Sequence, residues 1–246
     1  RVVSDHISDL LLAPTPTAVE NLIREGLGEK TAPTGDIMYD TVLYSVELAA
    51  RKSKVLEEMG LKRNGYILAT VHRAENTDSA ENLGRLLDMF NEIAAEGTDI
   101  VFPVHPRTSN LLPKILPDWS AHPRLHLVKP VGYLDMMQLL EASRLVLTDS
   151  GGLQKEAFFL QRPCITVREE TEWVETVLAG GNVITGPNPD KIRQALKDWE
   201  ARIEAGDTDF GDAIRTYFGD GKSAAQILEL IVDFLEKKQA AEVVNA

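Results

Sequence analysis

The sequence predicts an α/β fold built on a doubly wound parallel sheet, and three observations support this. Short apolar segments alternate with helical patterns from about residue 65 onward. The connections are long enough for right-handed crossovers, which make neighbouring strands parallel and place helices on both faces of the sheet. The 246 residues are 43% hydrophobic and 26% charged, the composition of a globular protein with a sizeable core. We therefore assign residues 65–222 to one complete domain.

The strands and helices of this domain follow from the apolar pattern. Runs of apolar and β-branched residues predict strands at 66–70, 100–103, 125–129, 145–148, 163–167 and 182–184. Helical spacing predicts helices near 79–96, 134–142, 153–160, 171–179 and 190–205. A last helical pattern over 223–236 predicts a packing helix, and we assign 223–246 to this helix and its tail.

The residues before 65 do not make a second complete domain. Helical spacing predicts one helix up to Leu12, followed by a short strand and a turn at 13–17. A second helix is N-capped by Thr17 and stops at Gly26, and a third runs from Asp36 to Gly60. We assign residues 1–34 to the C-terminal remnant of an N-terminal domain and 35–64 to an interdomain helix. A free helical arm is the alternative, but the apolar run at 10–12 needs a partner surface.

Charge and cysteine content exclude several classes of function. With 26 Lys and Arg against 38 Asp and Glu, the formal net charge is −12, which argues against a nucleic-acid or anionic-membrane partner. The single cysteine, Cys164, excludes an intramolecular disulfide and a zinc site of several cysteines, and it fits a reducing cytoplasm. The sequence has no apolar run near the roughly 20 residues of a membrane-spanning helix and no signal-peptide core. Because it starts with Arg1 rather than methionine, we expect a longer or processed gene product.

The segment TDSGGLQKE at 148–156 is the sharpest functional signal. It leads from an apolar strand into a helix, so Ser150, Gly151 and Gly152 present backbone N–H groups at the positive end of the helix dipole. Such a helix start binds anions, and open α/β sheets bind ligands at the carboxyl ends of their strands. The Glu156 carboxylate can accept hydrogen bonds from ribose hydroxyls. An ordinary strand-to-helix turn with Ser150 as N-cap explains the pattern equally well.

A second signal, HRAEN at 72–76, follows the first strand of the domain. His72 and Arg73 would lie at the same sheet edge, where they can meet a diphosphate and where the histidine can donate to an oxyanion or shuttle a proton. Taken alone, a histidine that caps the strand and a solvated arginine explain the segment better. The edge shared with Ser150 favours a functional site.

Three further segments give weaker functional indications. In PVHPR at 103–107, the prolines present His105 and Arg107 outward, and a structural or supporting role is favoured over catalysis. The carboxylates of REETEWVE at 168–175 can hold a cation or ligand hydroxyls, but an acidic helix start is the commoner explanation, which leaves Glu172 as a minor candidate. The turn before Ser223 lacks P-loop spacing, and Ser223 as an N-cap explains it. The remaining histidines lack metal-ligand spacing, so no metal is expected.

These segments, in this order, resemble the UDP-N-acetylglucosamine 2-epimerase family. The resemblance is carried along the whole chain by SDHISDLL at 4–11 with APT at 13–15, TGDIMYD at 34–40, HRAEN at 72–76, PVHP at 103–106, TDSGGLQKE at 148–156, REETEW at 168–173 and GDGK at 219–222. It implies the GT-B fold of two Rossmann-like domains, of which this chain would hold one complete domain and the tail of the other.

The resemblance also implies a reaction and a set of site residues. Members of the family invert C2 of a UDP-linked N-acetylhexosamine, interconverting UDP-GlcNAc and UDP-ManNAc by UDP elimination and re-addition, with no metal or nicotinamide cofactor. Fixed N–H donors and a histidine would stabilise the charge that develops on the leaving diphosphate. By the family match, His72 would be the catalytic residue. Ser150, Gly151 and Gly152 would bind the phosphate, and Glu156 would bind the ribose.

Two positions depart from the family pattern, and one set of residues is expected outside the chain. Met136 falls where the family often has an aromatic side chain near uracil, and Trp173 where some members have a ligand-binding arginine. The family's proton-transferring carboxylates lie before the position of Arg1, so we expect this chain to bind UDP but to turn over poorly. Expected partners are UDP and UDP-N-acetylhexosamine, with no nucleic acid and no membrane. The expected assembly is a homodimer in the cytoplasm, working in cell-surface polysaccharide biosynthesis.

Three other functions stay open at this point. A GT-B glycosyltransferase uses the same glycine turn and ribose carboxylate for its nucleotide-sugar donor, and fold alone does not separate the two. A hydrolysing epimerase would release free N-acetylmannosamine and UDP. An inactive UDP-sugar-binding protein or sensor would bind without turnover.

Overall fold

The computed structural model describes residues 1–244, and their strands pair in parallel as the α/β prediction requires. The chain divides into two compact units, which we call unit 1 (Arg1–Tyr44 and Gly211–Ala246) and unit 2 (Ser45–Phe210). The domain boundaries drawn from the sequence, at 34/35, 64/65 and 222/223, differ from these divisions and stay predictions.

The strands and helices are numbered in chain order. The strands are Leu11–Ala13 (β1), Thr31–Pro33 (β2), Tyr66–Thr70 (β3), Asp99–Pro103 (β4), Leu125–Val128 (β5), Leu145–Thr148 (β6), Cys164–Thr166 (β7) and Asn182–Ile184 (β8). The helices are Val2–Ile7 (α1), Pro16–Arg24 (α2), Ile37–Lys52 (α3), Val55–Glu58 (α4), Ala74–Thr77 (α5), Ala80–Ala95 (α6), Pro106–Ile115 (α7), Tyr133–Ala142 (α8), Gly151–Phe159 (α9), Val174–Leu178 (α10), Pro189–Glu204 (α11), Gly211–Phe218 (α12) and Ser223–Val244 (α13). A short 3₁₀ helix at Gly28–Lys30 precedes β2.

Unit 2 contains a six-stranded parallel sheet in the order β5-β4-β3-β6-β7-β8. Its central strands β3 and β6 are buried along their whole length, which explains why they read as continuous apolar runs. The strands predicted at 66–70, 145–148 and 182–184 coincide with β3, β6 and β8, and the other three agree within one residue. From β3 the chain adds β4 and β5 on one side and then β6, β7 and β8 on the other. Right-handed crossovers in the two directions place helices on both faces of the sheet.

Unit 1 contains a two-stranded parallel sheet, where a helix up to Leu12 was predicted. That prediction is wrong, because α1 ends at Ile7 and residues Leu11–Ala13 pair with Thr31–Pro33. Leu11 and Ala13 are buried with Leu22 and Leu27, so a shared apolar cluster outweighs the local helical spacing.

Two helix boundaries in this region also differ from prediction. The N-cap of α2 is Thr15 rather than Thr17: its extended backbone precedes a proline at the first helical position, and its hydroxyl accepts the N–H of Ala18 at 3.2 Å. The helix predicted from Asp36 to Gly60 is broken after Lys52. At the break, the Ser53 hydroxyl accepts the N–H of Val55, which offers the backbone an alternative to the helical bond.

Side chains also replace helical bonds at two later boundaries. Ser223 is the first residue of α13 rather than its N-cap, and the Asp40 carboxylate accepts the N–H groups of Ser223 and Ala224 at 3.1 and 2.8 Å. The helix predicted from residue 171 starts at Val174, because the Thr171 hydroxyl accepts the N–H of Trp173 at 3.0 Å. Helices α7 and α12 were not predicted from the sequence.

Candidate functional site

The candidate site lies at the carboxyl edge of the unit 2 sheet, where the strand order reverses. Strand β3 has β4 on one side and β6 on the other, so the chain leaves β3 and β6 side by side at the same edge. The last residues of these strands, Thr70 and Thr148, are register partners, and their buried hydroxyls lie 2.6 Å apart. Open α/β sheets bind ligands at such a switch point because diverging crossovers leave a crevice there.

A cavity of about 460 Å³ occupies this crevice. It is lined by Thr70, His72, Pro103, His105, Pro130, Val131, Met136, Ser150, Gly152, Leu153 and Glu156. Its volume lies within the range of small-molecule sites, and its apolar walls hold a few polar groups, as such sites do. Five predicted site residues therefore share one cavity, namely His72, Met136, Ser150, Gly152 and Glu156. Arg73 and Gly151 are not among the lining residues.

The start of α9 supplies backbone donors to this cavity. Ser150 is the N-cap, and its hydroxyl accepts the N–H of Leu153 at 3.5 Å while its own N–H donates to the Thr148 hydroxyl at 2.9 Å. Gly151 and Gly152 are the first residues of the helix, so their N–H groups have no acceptor within it. Ser150 is thus the cap that an ordinary turn requires, and the same helix start has the dipole and the donors of an anion site.

Asp149 holds the loop that carries His72. Its carboxylate is fully buried and accepts the backbone N–H groups of His72 and Arg73, at 3.1 and 2.9 Å, and the Asn76 side-chain amide at 3.0 Å. His72 Nδ1 lies 3.3 Å from the same carboxylate, while half of the His72 side chain is exposed. A buried charge needs several donors of this kind, so the loop is ordered around the aspartate.

Arg73 faces a neighbouring loop. Its Nε donates to the Asp149 carbonyl at 3.1 Å, and its guanidinium lies 3.9 Å from the Glu172 carboxylate. Arg168 makes two hydrogen bonds to Glu172 at 2.8 and 2.9 Å, and these lower the pKa of Glu172 to about 2. Glu172 is thus the partner of two arginines beside the start of α9. A role for Arg73 in substrate binding stays a prediction.

Glu156 is a buried carboxylate on the cavity wall. It receives a hydrogen bond from the Tyr133 hydroxyl at 3.1 Å. Burial raises the pKa of Glu156, and the Tyr133 hydrogen bond and the charge of Lys155 oppose this rise. Burial and the adjoining Glu156 carboxylate raise the pKa of Tyr133 to about 12, so the phenol stays protonated and keeps donating.

Sequence reasoning missed Asp149 and Tyr133 and understated His105. Asp149 directly follows a strand of four buried residues, where a charged side chain signals a set of buried donors. His105 lines the cavity as the N-cap of α7, and its Nδ1 accepts the N–H of Arg107 at 3.2 Å. Arg107 itself forms an exposed ion pair with Asp78 at 2.7 Å and is not among the residues that line the cavity.

The described residues hold neither a group of metal ligands nor a membrane-spanning helix. Between residues 1 and 244, no three or more His, Cys, Asp or Glu side chains are grouped so as to hold a metal ion. No helix within the same range combines the length and the apolar content needed to cross a bilayer.

Comparison with known proteins identifies the family. A family model described as UDP-N-acetylglucosamine 2-epimerase matches residues 1–232. This chain belongs to the UDP-N-acetylglucosamine 2-epimerase family. The resemblance seen in the sequence is thereby confirmed.

Relatives within the UDP-N-acetylglucosamine 2-epimerase family cover nearly all of this chain. A Methanococcus maripaludis protein named as a UDP-N-acetylglucosamine 2-epimerase homolog is 44% identical over 94% of the chain and 62% of its own length. A Pseudomonas aeruginosa UDP-2,3-diacetamido-2,3-dideoxy-D-glucuronate 2-epimerase is 38% identical, again over 94% of the chain and 62% of its own length. The chain thus spans somewhat less than two thirds of the length of these curated relatives.

Solved structures of the UDP-N-acetylglucosamine 2-epimerase family share the fold. The Methanocaldococcus jannaschii UDP-GlcNAc 2-epimerase, solved in complex with UDP-GlcNAc and UDP, is 34% identical with a TM-score of 0.80, over 94% of this chain and 63% of that one. The predicted α/β fold class of the GT-B type is therefore confirmed.

Proposed function

We propose that this chain provides the nucleotide-binding part of a non-hydrolysing UDP-N-acetylglucosamine 2-epimerase, which interconverts UDP-GlcNAc and UDP-ManNAc. The observation that carries the proposal is the single cavity at the switch point that gathers His72, the Ser150 helix start and Glu156. The M. jannaschii relative, whose structure holds UDP-GlcNAc and UDP, supports the ligand class. The proposal includes the cytoplasm as the location and a homodimer as the assembly.

The arrangement suits a reaction in which UDP leaves and returns. When a carboxylate expected before Arg1 takes the C2 proton and the bond from C1 to the diphosphate oxygen breaks, the electron pair of that bond stays on the diphosphate, where negative charge grows. The N–H groups of Gly151 and Gly152 and the dipole of α9 are fixed in place before the reaction, so they stabilise this charge without reorganising. His72 follows β3 and lines the same cavity, where its imidazolium form can donate to the leaving oxygen. Re-addition uses the same contacts in reverse.

The remaining lining residues bind the nucleoside. Glu156 accepts hydrogen bonds from the ribose hydroxyls, and the Tyr133 hydroxyl orients its carboxylate. Met136 and the prolines and aliphatic residues of the wall provide the apolar surface against which a uracil ring packs. His105 and Ser150 complete the polar part of the wall.

Calorimetry tests the binding part of this proposal, and proton NMR of the products tests the turnover. We expect the wild-type chain to bind UDP, and we expect His72→Ala to weaken binding by about tenfold, the effect of one hydrogen bond to a charged group. His6→Ala, which replaces an exposed histidine in unit 1, is the matched control and keeps wild-type affinity. A chain that binds neither UDP nor UDP-GlcNAc contradicts the proposal.

Turnover assays separate the alternative activities. With UDP-GlcNAc in deuterated water, elimination and re-addition place deuterium at C2 and yield UDP-ManNAc. Accumulation of free UDP and N-acetylmannosamine indicates a hydrolysing enzyme, and dependence on an acceptor indicates a glycosyltransferase. Binding without turnover, even after the first domain is restored, indicates a UDP-sugar sensor.

A second substrate is favoured by one comparison. The P. aeruginosa relative, named for UDP-2,3-diacetamido-2,3-dideoxy-D-glucuronate, is 38% identical, slightly more than the 35% of an M. maripaludis UDP-N-acetylglucosamine 2-epimerase. Both sugars carry an N-acetyl group at C2, so the same elimination applies. Competition between the two nucleotide sugars for the chain decides the preference.

A further inference from the structure

The Asp149 carboxylate lies against the Nδ1 edge of the His72 ring. Asp149 Oδ1 lies 3.3 Å from His72 Nδ1, and Asp149 is completely buried at the end of β6. The remaining donors around the carboxylate come from the same loop, namely the N–H groups of His72 and Arg73 and the amide of Asn76. The aspartate therefore fixes both the loop backbone and one edge of the imidazole.

This contact determines which ring nitrogen faces a ligand. An ionised carboxylate only accepts hydrogen bonds, so a neutral His72 must carry its proton on Nδ1 to satisfy the contact. Because the two nitrogens lie on different edges of the ring, Nε2 is left for the cavity that His72 lines. When the ring is protonated, Nε2–H can donate to a ligand there while Nδ1–H keeps its contact to Asp149. In catalytic and metal-binding histidines, one ring nitrogen often contacts a carboxylate or carbonyl, and this contact sets which nitrogen carries the proton.

We propose that Asp149 is a positioning residue, which orders the 72–76 loop and holds His72 as the Nδ1–H tautomer with Nε2 turned to the ligand. The functional part of this inference rests on the proposed role of His72 toward UDP. The structural part, the tautomer, does not depend on any activity.

Nitrogen-15 NMR of the imidazole rings in the whole chain tests the structural part. At about pH 9, the wild type should show a protonated, pyrrole-type Nδ1 and an unprotonated, pyridine-type Nε2 for His72, whose signals are assigned by their loss in His72→Gln. Exposed His6 is the internal reference. Asp149→Ala should shift the His72 signals to values between the two types. A wild-type His72 protonated on Nε2 overturns the proposal without any variant.

Asn76→Ala separates the ring contact from loop order. This variant removes one donor to Asp149 but keeps the carboxylate and its contact to His72. We expect it to retain the Nδ1–H signature. If Asn76→Ala loses the Nδ1–H signature as completely as Asp149→Ala does, loop order sets the tautomer. The assignment to Asp149 is then wrong.

A double-mutant cycle on UDP affinity tests whether Asp149 acts through His72. Asp149→Ala should weaken UDP binding about tenfold in the wild-type background and cause little further loss in His72→Ala. Fully additive losses overturn the positioning role. Wild-type protein with the expected tautomer but no affinity for UDP removes the proposed function and the role of Asp149 in it, while the tautomer assignment stands on the NMR result.

Discussion

The buried Glu156 carboxylate predicts a pH dependence of UDP binding. Burial raises its pKa above the ordinary value of about 4.3, and ribose hydroxyls bind best to the ionised form. UDP affinity should therefore fall as the pH falls through the folded-state pKa of Glu156, with a slope that approaches about tenfold per pH unit. The free energy of unfolding has the opposite dependence, because the native state binds more protons, so the Glu156 contribution to stability decreases as the pH rises above about 4.3.

The size of the effect follows from the contacts. Glu156→Gln keeps the shape of the side chain but replaces hydrogen bonds to a charged acceptor by weaker ones, each charged bond contributing about 1.5–3 kcal/mol. The loss per bond is the difference from a neutral hydrogen bond, about 1–1.5 kcal/mol, so at about pH 8 we expect UDP affinity to fall by about 5- to 13-fold for each ribose hydroxyl bound. Tyr133→Phe removes the donor that lowers the pKa of Glu156, so the midpoint of the pH dependence should move to higher pH.

Isothermal calorimetry over a pH series measures both effects. The second ionisation of the UDP phosphate, with a pKa of about 6, is common to all variants, so the difference between wild type and Glu156→Gln isolates the carboxylate. Tyr44→Phe, which alters an exposed tyrosine of unit 1, should leave the profile unchanged. Identical pH profiles for wild type and Glu156→Gln refute the reasoning.

Three further predictions concern packing, capping and thiol reactivity. Gly181→Ala places a Cβ 2.6 Å from the buried Phe158 ring, and this overpacking should lower the free energy of unfolding in urea by about 1–3 kcal/mol. Thr15→Ala removes the N-cap of α2 and should cost about 0.5–2 kcal/mol in the same assay, whereas Thr17→Ala should cost much less. Burial raises the pKa of Cys164 to about 12, so the thiol should not react with a disulfide reagent at neutral pH until the protein unfolds.

Each of these predictions has a control and a contradicting outcome. Gly84→Ala, inside α6 and no closer than 3.4 Å to its neighbours, should be neutral or stabilising, because alanine favours the helix. Equal effects of Gly84→Ala and Gly181→Ala contradict the overpacking account. A larger loss for Thr17→Ala than for Thr15→Ala contradicts the capping assignment. Rapid labelling of Cys164 in the native protein contradicts its burial.

The sequence predicted the sheet of unit 2 well because its strands depend on local burial. Strands β3 and β6 are apolar along their whole length and need no knowledge of their partners to be recognised. The secondary structure at Leu11 was predicted wrongly for the opposite reason, because this strand depends on pairing with the distant residue Thr31. Helix α7 was missed because His105 and the following proline were interpreted as a rigid loop, although a proline at the first helical position is favourable.

The sequence predicted the site residues that directly follow strands. It did not predict the side-chain contacts between site residues that are distant in the chain. His72 and Ser150 were placed at one edge because parallel strands end together, and the structure lines one cavity with both. The contact from Asp149 to His72 and the bond from Tyr133 to Glu156 join residues 77 and 23 positions apart. Neither contact leaves a periodic or compositional pattern in the sequence, so both contacts are visible only in the structure.

The division of the chain into units has a consequence for how it folds. Unit 2 is one uninterrupted stretch, whereas unit 1 joins the first 44 residues to those after 210. Bonds such as that from the Ser223 N–H to Asp40, 183 positions apart, form only after a very long loop has closed. Unit 2 needs no such closure, so it can fold before residues 1–44 meet the residues from 211 onward.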